Sequence, residues 1–206
     1  MDWASLGLAA ATASTSGINL YATVLTLGLL QRANWLQLPG EWGLLGETWI
    51  LALAAALFVI EFFADKIPYI DSIWDGIHTF IRIPAGGLLM ASAFADLDPG
   101  MRLAAGLVGG SLALTTHSAK ATARLAANAS PEPFSNIILS VVEDVVAVSL
   151  LGLAATYPWL AALALGILLA VCIVIIVTLF KFTKKVFSKF SDISRQAAIP
   201  GGGHKL

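Results

Sequence analysis

The stretch WLAALALGILLAVCIVIIVTLFKF, residues 159–182, decides the class of fold. A helix of this length reaches about 36 Å at about 1.5 Å per residue, enough to cross a bilayer with some tilt. The remainder of the chain agrees, because its 206 residues are 58% hydrophobic and only 12% charged, whereas soluble domains are about 25% charged. We therefore predict an all-α integral membrane protein.

A basic flank begins with Lys181, at the end of this apolar span, and continues with Lys184, Lys185 and Lys189. Lysine-rich flanks of membrane spans favour the cytoplasmic side. The pattern predicts a cytoplasmic C-terminus, with residues 183–206 forming a basic amphipathic tail and a flexible end. So short a basic patch beside a membrane span does not indicate a nucleic-acid partner. Membrane lipid is the expected surrounding, and the sequence leaves open whether copies of the chain form a homo-oligomer.

About six membrane-embedded helices are predicted, three on each side of the acidic loop at 96–100. The predicted segments are 4–30, 48–64, 68–82, 102–128, 134–155 and 159–182. Pro84 and Gly86-Gly87 are expected to break the third segment before a short apolar piece to 94. The first membrane half is then 1–96 and the second is 97–182. An odd number of crossings per half inserts two similar halves upside down relative to each other, as in many transporters. Weak echoes, such as Glu61 and Glu143 in the second helices, favour two inverted three-helix repeats.

Polar residues interrupt the first apolar segment, and we expect the first helices of the halves to be broken or re-entrant. The interruption is predicted around residues 14–17, where hydroxyl side chains precede a glycine. Free backbone groups at such a break can coordinate a solute or an ion. Candidate ligands are Ser16, Gly17, Asn19 and Thr23. The alternative is that the hydroxyl groups bond back to their own helix.

A basic stripe lies in the second half, where His117, Lys120 and Arg124 occupy successive helical turns after Thr116. A histidine can change its charge near neutral pH, and an arginine can hold a carboxylate or phosphate with two hydrogen bonds. This stripe predicts an anion-binding surface or a proton-linked gate. The alternative is an internal lattice of ion pairs, whose acidic partners are Glu132, Glu143 and Asp144.

Glu61 follows a dozen apolar residues, and Asp65 lies one turn further on the same face. An ionisable group at membrane depth costs roughly 2.5–3.5 kcal/mol on insertion scales. We therefore expect Glu61 to be either paired or protonated for part of a cycle. Two carboxylates on one stripe can bind a cation or relay protons, and Glu143 is expected to act similarly in the second half.

A further stripe contains Asp71, Asp75, His78 and Arg82, within the amphipathic helix predicted at 68–82. Two interpretations stay open: a helix lying on the membrane surface, or a set of internal salt bridges. Asp75 and His78 are candidate ligands one turn apart. Two ligands without a third do not make a metal site, so no metal is predicted.

Signatures of enzymes are missing from the sequence. It has no phosphate-binding loop, no GxSxG elbow and no HExxH motif. The lone Cys172 lies in an apolar run and is expected in the core or facing lipid. We therefore expect no enzymatic activity, no catalytic residues and no cofactor.

Three motifs carry a resemblance to a known family. They are GINLYATVL at 17–25, EFFADKIP at 61–68 with its continuation to Thr79, and the segment from His117 to Pro133. Together they resemble the bacterial family called domain of unknown function 4126, over nearly the whole chain. The resemblance implies a multi-pass protein of the bacterial inner membrane and implies no activity.

The leading hypothesis is a small transporter that moves a polar or anionic small solute, with proton coupling as an option. Its central site would lie at the repeat interface, with Asn19 on one side and His117 and Lys120 on the other. A lipid-handling protein, such as a flippase for a phosphorylated lipid carrier, is the first alternative. The second is a structural subunit whose charged stripes only form salt bridges.

Overall fold

The computed structural model describes residues 3–129 and 134–197, and in these residues the chain is helical without a strand. The helices are α1 (Trp3–Ile18), α2 (Leu20–Arg32), α3 (Thr48–Ala64), α4 (Ile70–Ala93), α5 (Pro99–Asn128), α6 (Phe134–Thr156) and α7 (Pro158–Ala197), with a short 3-10 helix, Gly40–Gly46, before α3. The predicted all-α class is confirmed.

The apolar helices are long enough to span a membrane. Two segments are long and apolar enough to cross a membrane: α6 and Pro158–Phe182 of α7. The 3-10 helix and α3 meet at a bend of 72°, and they would add a third crossing if they form one span. Helices α4 and α5 reach about 36 and 45 Å, but they contain the charged stripes. Six crossings and an inverted repeat therefore stay predictions.

Charged residues lie inside the helix bundle and large apolar residues lie on its surface, the reverse of a soluble domain. Phe80 is 83% exposed and Leu88 is 70% exposed, while Glu61, Arg82 and Arg124 are fully buried. Water would penalise the apolar exterior, and lipid would not. Buried charges facing one another are the arrangement expected for ionisable residues at membrane depth.

Helix α4 continues through Pro84, so the break predicted there is wrong. Proline removes only one backbone donor, and the following glycines allow α4 to pack closely on α5. A Cβ added at Gly86 would lie 2.5 Å from the Cβ of Ala113. One added at Gly109 would lie 2.5 Å from the Cβ of Met90 and 2.6 Å from the carbonyl oxygen of Gly86. These residues form the glycine seam between α4 and α5.

The ends of the later helices also differ from the predicted bounds. Helix α5 begins at Pro99, three residues before the predicted start, because the side chain of Asp98 caps it by accepting from the Gly100 and Met101 amides at 3.0 and 3.1 Å. Helix α7 continues without a break from the apolar span through residues 183–197, whereas a separate tail was predicted. The segment 130–133, with its two prolines and Glu132, lies outside the described residues.

Candidate functional site

The first apolar segment is broken at Asn19, between α1 and α2. Its backbone is extended, with φ −147° and ψ 101°, and its Oδ1 accepts from the Ala22 amide at 2.9 Å. An asparagine side chain that bonds to nearby amides competes with the helix ladder. The predicted break thus exists, but it lies at Asn19 and not at residues 14–17, which remain helical. The other end of the amide, Nδ2, donates to Asp144 Oδ1 at 2.9 Å.

The hydroxyl groups near this break are bonded to backbone carbonyls. Ser16 Oγ donates to the Ala13 oxygen at 2.7 Å, and Thr23 Oγ1 donates to the Asn19 oxygen at 2.8 Å. Thr116 Oγ1 donates to the Ser14 oxygen at 2.7 Å, which joins α5 to α1. Of the two interpretations, bonding back to the helix describes Ser16 and Thr23.

Gly17 brings the backbone of α1 against α5. A Cβ at this position would lie 2.2 Å from Thr116 Oγ1 and 2.3 Å from the carbonyl oxygen of Ala113. No larger residue fits there without moving a backbone. Gly17 therefore sets the distance between the two helices, and the candidate residues Gly17 and Thr116 are brought together by packing.

Lys120 lies at the centre of a buried ion-pair network, which joins four helices. Its Nζ lies near four carboxylates: Asp65 Oδ2 at 2.9 Å, Glu61 Oε1 at 3.3 Å, Asp75 Oδ1 at 3.6 Å and Glu143 Oε2 at 3.6 Å. These groups come from α3, α4 and α6, whereas Lys120 itself belongs to α5. The same ammonium group donates to the Ile18 carbonyl at 3.1 Å, beside the break between α1 and α2.

Two arginines flank Lys120 and complete the network. Arg82 donates through NH2 to Glu61 Oε1 at 2.6 Å and through NH1 to Asp75 Oδ1 at 3.1 Å. Arg124 contacts Glu143 Oε2 at 2.5 Å, Asp65 Oδ2 at 3.0 Å and Asp71 Oδ2 at 3.8 Å, and it also donates to the Asp65 carbonyl. Every charged member is buried except Glu143, whose side chain is 14% exposed.

The stripe on α4 belongs to this interior, so the membrane-surface interpretation is wrong. Asp71, Asp75, His78 and Arg82 are all at most 3% exposed. Arg82 and Asp71 were not among the predicted site residues, although they lie on the stripe for which a membrane-surface helix and internal salt bridges were both left open. Their shared stripe with Asp75 was the signal that could have found them. Asp144, which holds Asn19, was also missed as a site residue.

His117 is a neutral member at the edge of the network. Its Nε2 lies 2.7 Å from the Thr79 hydroxyl, which also bonds to the Asp75 carbonyl at 3.0 Å, and its Nδ1 lies 3.4 Å from Arg82 NH1. Burial and the adjacent guanidinium group both disfavour a positive charge on the ring, which favours the neutral imidazole.

His78 lies outside the ion pairs. Its Nδ1 bonds to the Trp74 carbonyl at 2.8 Å, and its Nε2 bonds to the Tyr21 hydroxyl at 2.9 Å. The ring also stacks on Trp74, with 4.3 Å between centroids. The structure therefore separates His78 from the candidate residues that surround Lys120, although both belong to one polar interior.

Two apolar grooves lie beside this interior. One of about 220 Å³ lies among α5, α6 and α7, and its lining includes Lys120, Glu143, Cys172 and Ile18. The other, of about 260 Å³, lies among α2, α3 and α4 and includes Tyr21. None of these grooves, nor the other well-formed ones in the described part of the chain, is lined by Asn19, Glu61 or His117. These grooves therefore reach the network only at Lys120 and Glu143.

The carboxylates face cationic side chains and not a metal site. Within residues 3–129 and 134–197, no three histidine, cysteine or acidic side chains are placed to hold a metal ion. What the arrangement offers is a set of exchangeable ion pairs, in which one cation faces several acids.

A family model described as Domain of unknown function (DUF4126) matches residues 5–178. No curated protein and no solved structure matches the chain. The family match extends from α1 into α7, so it includes every member of the ion-pair network.

Proposed function

The chain belongs to the domain of unknown function 4126 family, and from the geometry of its buried network we propose that it is a small membrane transporter. Its cargo would be a polar or anionic small solute, bound where the break between α1 and α2 meets Lys120. The observation that supports this most is the position of Lys120, which faces acids from three helices and the Ile18 carbonyl at the break.

Lys120 has more partners than it can satisfy. Its ammonium group has three N–H donors, and these point to Ile18, Glu61 and Asp65. Asp75 and Glu143, each at 3.6 Å, attract it by charge alone. An incoming carboxylate or phosphate could therefore replace an acid of the network at Lys120 when the displaced acid is protonated or reaches solvent, because an ionised acid left behind would be a buried unpaired charge.

Glu143 is the acid best placed to be replaced. It is the most exposed member of the network, and it comes from α6 beside the groove among α5, α6 and α7. Withdrawal of Glu143 would free one N–H of Arg124 NH2, whose other hydrogen bond is to Asp65 Oδ2, and a carboxylate or phosphate could accept from the freed N–H. A solute would thus enter between α5 and α6 as this helix moves.

The two grooves support the proposed pair of inverted halves. One groove lies among α2, α3 and α4, and the other lies among α5, α6 and α7, with Ile18 at the end of α1 also in its lining. The acids on the second helices, Glu61 and Glu143, approach Lys120 at 3.3 and 3.6 Å. Six crossings would place both ends in the cytoplasm of a bacterium, with the chain in the inner membrane. Reporter fusions at residue 97 and at the C-terminus test this placement, because only the first should face the outside.

Uptake into proteoliposomes tests the proposed transport. The panel should contain small carboxylates, inorganic phosphate and amino acids, with purified wild type, Glu61→Gln, Lys120→Ala and Glu143→Gln. Asp96→Asn is the matched control, because Asp96 is an exposed acid outside the network. We expect uptake by the wild type and the control and its loss in the three network variants. Equal uptake of every solute by all five proteins would exclude the proposal.

Lipid handling is the second candidate, and the groove beside Lys120 favours it. Its lining is almost wholly apolar and ends at Lys120 and Glu143, so an acyl or isoprenoid chain could lie there with its phosphate near Arg124. A phosphorylated lipid carrier reconstituted with the protein would then change leaflets in vesicles, and Arg124→Gln would abolish the exchange. Exchange of the lipid without uptake of any soluble solute would favour this candidate over the first.

A further inference from the structure

The ion-pair network contains more acids than bases. Among the described residues, five carboxylates face three cations within 4 Å. The acids are Glu61, Asp65, Asp71, Asp75 and Glu143, and the cations are Arg82, Lys120 and Arg124. Adding the neighbouring Lys66 and Asp144 leaves the difference unchanged. If every group were ionised, the interior would contain two uncompensated negative charges.

Three of these carboxylates share a second feature. Glu61, Asp65 and Asp75 each direct one oxygen to two cations, while the other oxygen is buried without a partner. The unpartnered atoms are Glu61 Oε2, Asp65 Oδ1 and Asp75 Oδ2. All three residues are at most 2% exposed. A buried charge without compensation is strongly unfavourable, so these oxygens indicate where a small positive ligand binds.

The ligand that fits these atoms is the proton. The described residues place no three acids, histidines or cysteines so as to hold a metal ion, because Lys120, Arg82 and Arg124 lie between them. A proton needs only one carboxylate oxygen, and two protons remove the two excess charges. Closely spaced carboxylates share protons as a coupled set.

We propose that the network binds two dissociable protons, shared among the unpartnered oxygens of Glu61, Asp65 and Asp75. Proton binding is inferred only from the excess of acids over bases and from the three unpartnered oxygens. Its role as the coupling step rests on the proposed transport. There, each proton that neutralises one of these acids weakens its attraction for Lys120 or an arginine, which frees that cation for an anionic solute.

Groups from every helix packed around these acids set the affinity of the protons. They are Tyr21 on α2, Lys66 in the turn after α3, Asp71, His78 and Arg82 on α4, His117, Lys120 and Arg124 on α5, and Glu143 and Asp144 on α6, while α7 faces the network across the groove with Cys172. His117 Nδ1 lies 3.4 Å from the Arg82 guanidinium group, and a second positive charge there is unfavourable, so we do not assign the compensating charge to this ring. The three unpartnered oxygens remain as the proton sites.

Infrared spectroscopy of the purified protein in lipid nanodiscs tests the proposal, since protonated carboxyl groups absorb apart from carboxylates and shift on exchange into deuterium oxide. At pH 7 we expect a carboxylic-acid band in the wild type and an equal band in the control Asp96→Asn. One neutral substitution, Glu61→Gln or Asp75→Asn, should halve the band, since one excess charge remains. The double variant should lose it. Single variants keep the test valid if the double variant does not fold.

The proposal would be overturned by the absence of this band from the folded wild type at pH 7, or by an undiminished band in the folded single variants. Stabilisation of the wild type by sodium chloride over choline chloride, lost in Asp75→Asn, would also overturn it in favour of a metal cation. Failure of the proposed transport is distinguishable: the band and its variant dependence would stand, while proteoliposomes with a pH-sensitive dye would show no solute-driven proton flux.

Discussion

Helices α3, α4 and α5 differ from α6 and α7 in how they are held. The first three are joined by ion pairs among buried side chains and, between α4 and α5, by the glycine seam. Helix α6 contributes one member of the network, Glu143, and it packs with α7 and α1 through buried apolar residues such as Leu151 and Ala161, with a groove beside α5. The helices with the clearest membrane signal are thus held by apolar packing, whereas ion pairs hold the charged helices, which form the fixed centre.

The largest predicted effect is the difference in stability between replacing a cation and replacing an acid inside the fixed centre. Lys120→Met raises the excess of negative charge from two to three, and breaking a buried pair costs about 3–5 kcal/mol. Glu61→Gln lowers the excess, so its cost should stay under about 1 kcal/mol. Thermal unfolding in detergent, followed by the reaction of the buried Cys172 thiol with a fluorogenic reagent, measures both. Equal destabilisation by the two substitutions would contradict this charge balance.

Glycine-to-alanine substitutions should change the free energy of unfolding in opposite directions in the two regions. Gly109→Ala places a Cβ 2.5 Å from Met90 and 2.6 Å from the Gly86 oxygen, and overpacking of this kind costs about 1–3 kcal/mol. Gly152 on α6 has no atom within 4 Å of an added Cβ. Gly152→Ala should therefore stabilise the helix by up to about 1 kcal/mol. The same thiol assay compares them, and destabilisation by both would show that α6 is packed as tightly as the seam.

Removing the charge of Glu143 should separate function from stability. Glu143→Gln should change the free energy of unfolding by less than about 1 kcal/mol, because the side chain is partly exposed and the network has acids in excess. Solute uptake should fall at least about tenfold, the equivalent of one interaction of about 1.4 kcal/mol. The result that contradicts the assignment is unchanged uptake by a correctly folded variant.

The smallest effect is expected at the break. Asn19→Ser keeps the capping oxygen for the Ala22 amide but cannot reach Asp144. We expect a loss below about 1 kcal/mol, whereas Asn19→Ala also loses the cap and should cost about 1 kcal/mol more. Circular dichroism during thermal unfolding measures the midpoint of each of the two variants. Identical midpoints for the two variants would mean that the cap contributes nothing to stability.

The sequence predicted the apolar helices well, because α3, α6 and the span in α7 are runs of apolar residues between turn signals. Their bounds agree with the structure within about two residues. It failed at α4, where Pro84 and the following glycines suggested a break. Glycine serves both as a breaker and as a site of close helix packing, and only the position of α5 decides between these roles.

The sequence predicted which residues belong to the site, but it did not predict which of them pair. The stripes with Glu61, Asp75 and Lys120 were recognisable from helical periodicity. Which acid meets which base on another helix depends on residues that lie 19 to 59 positions apart in the chain, so local pattern could not give it. The pairing of Arg82 with Glu61 on another helix was missed for this reason, although its stripe partner Asp75 lies on the same helix.

The low hydropathy of α4 and α5 has a consequence for biogenesis. Neither helix is apolar enough to be a candidate membrane span by itself. Each would bring unpaired charges into the bilayer if it entered alone. A loop of five residues, 94–98, joins them, and the glycine seam allows them to pack together at once. We therefore expect α4 and α5 to leave the insertion machinery as a hairpin and only together with α3, whose acids neutralise Arg82, Lys120 and Arg124.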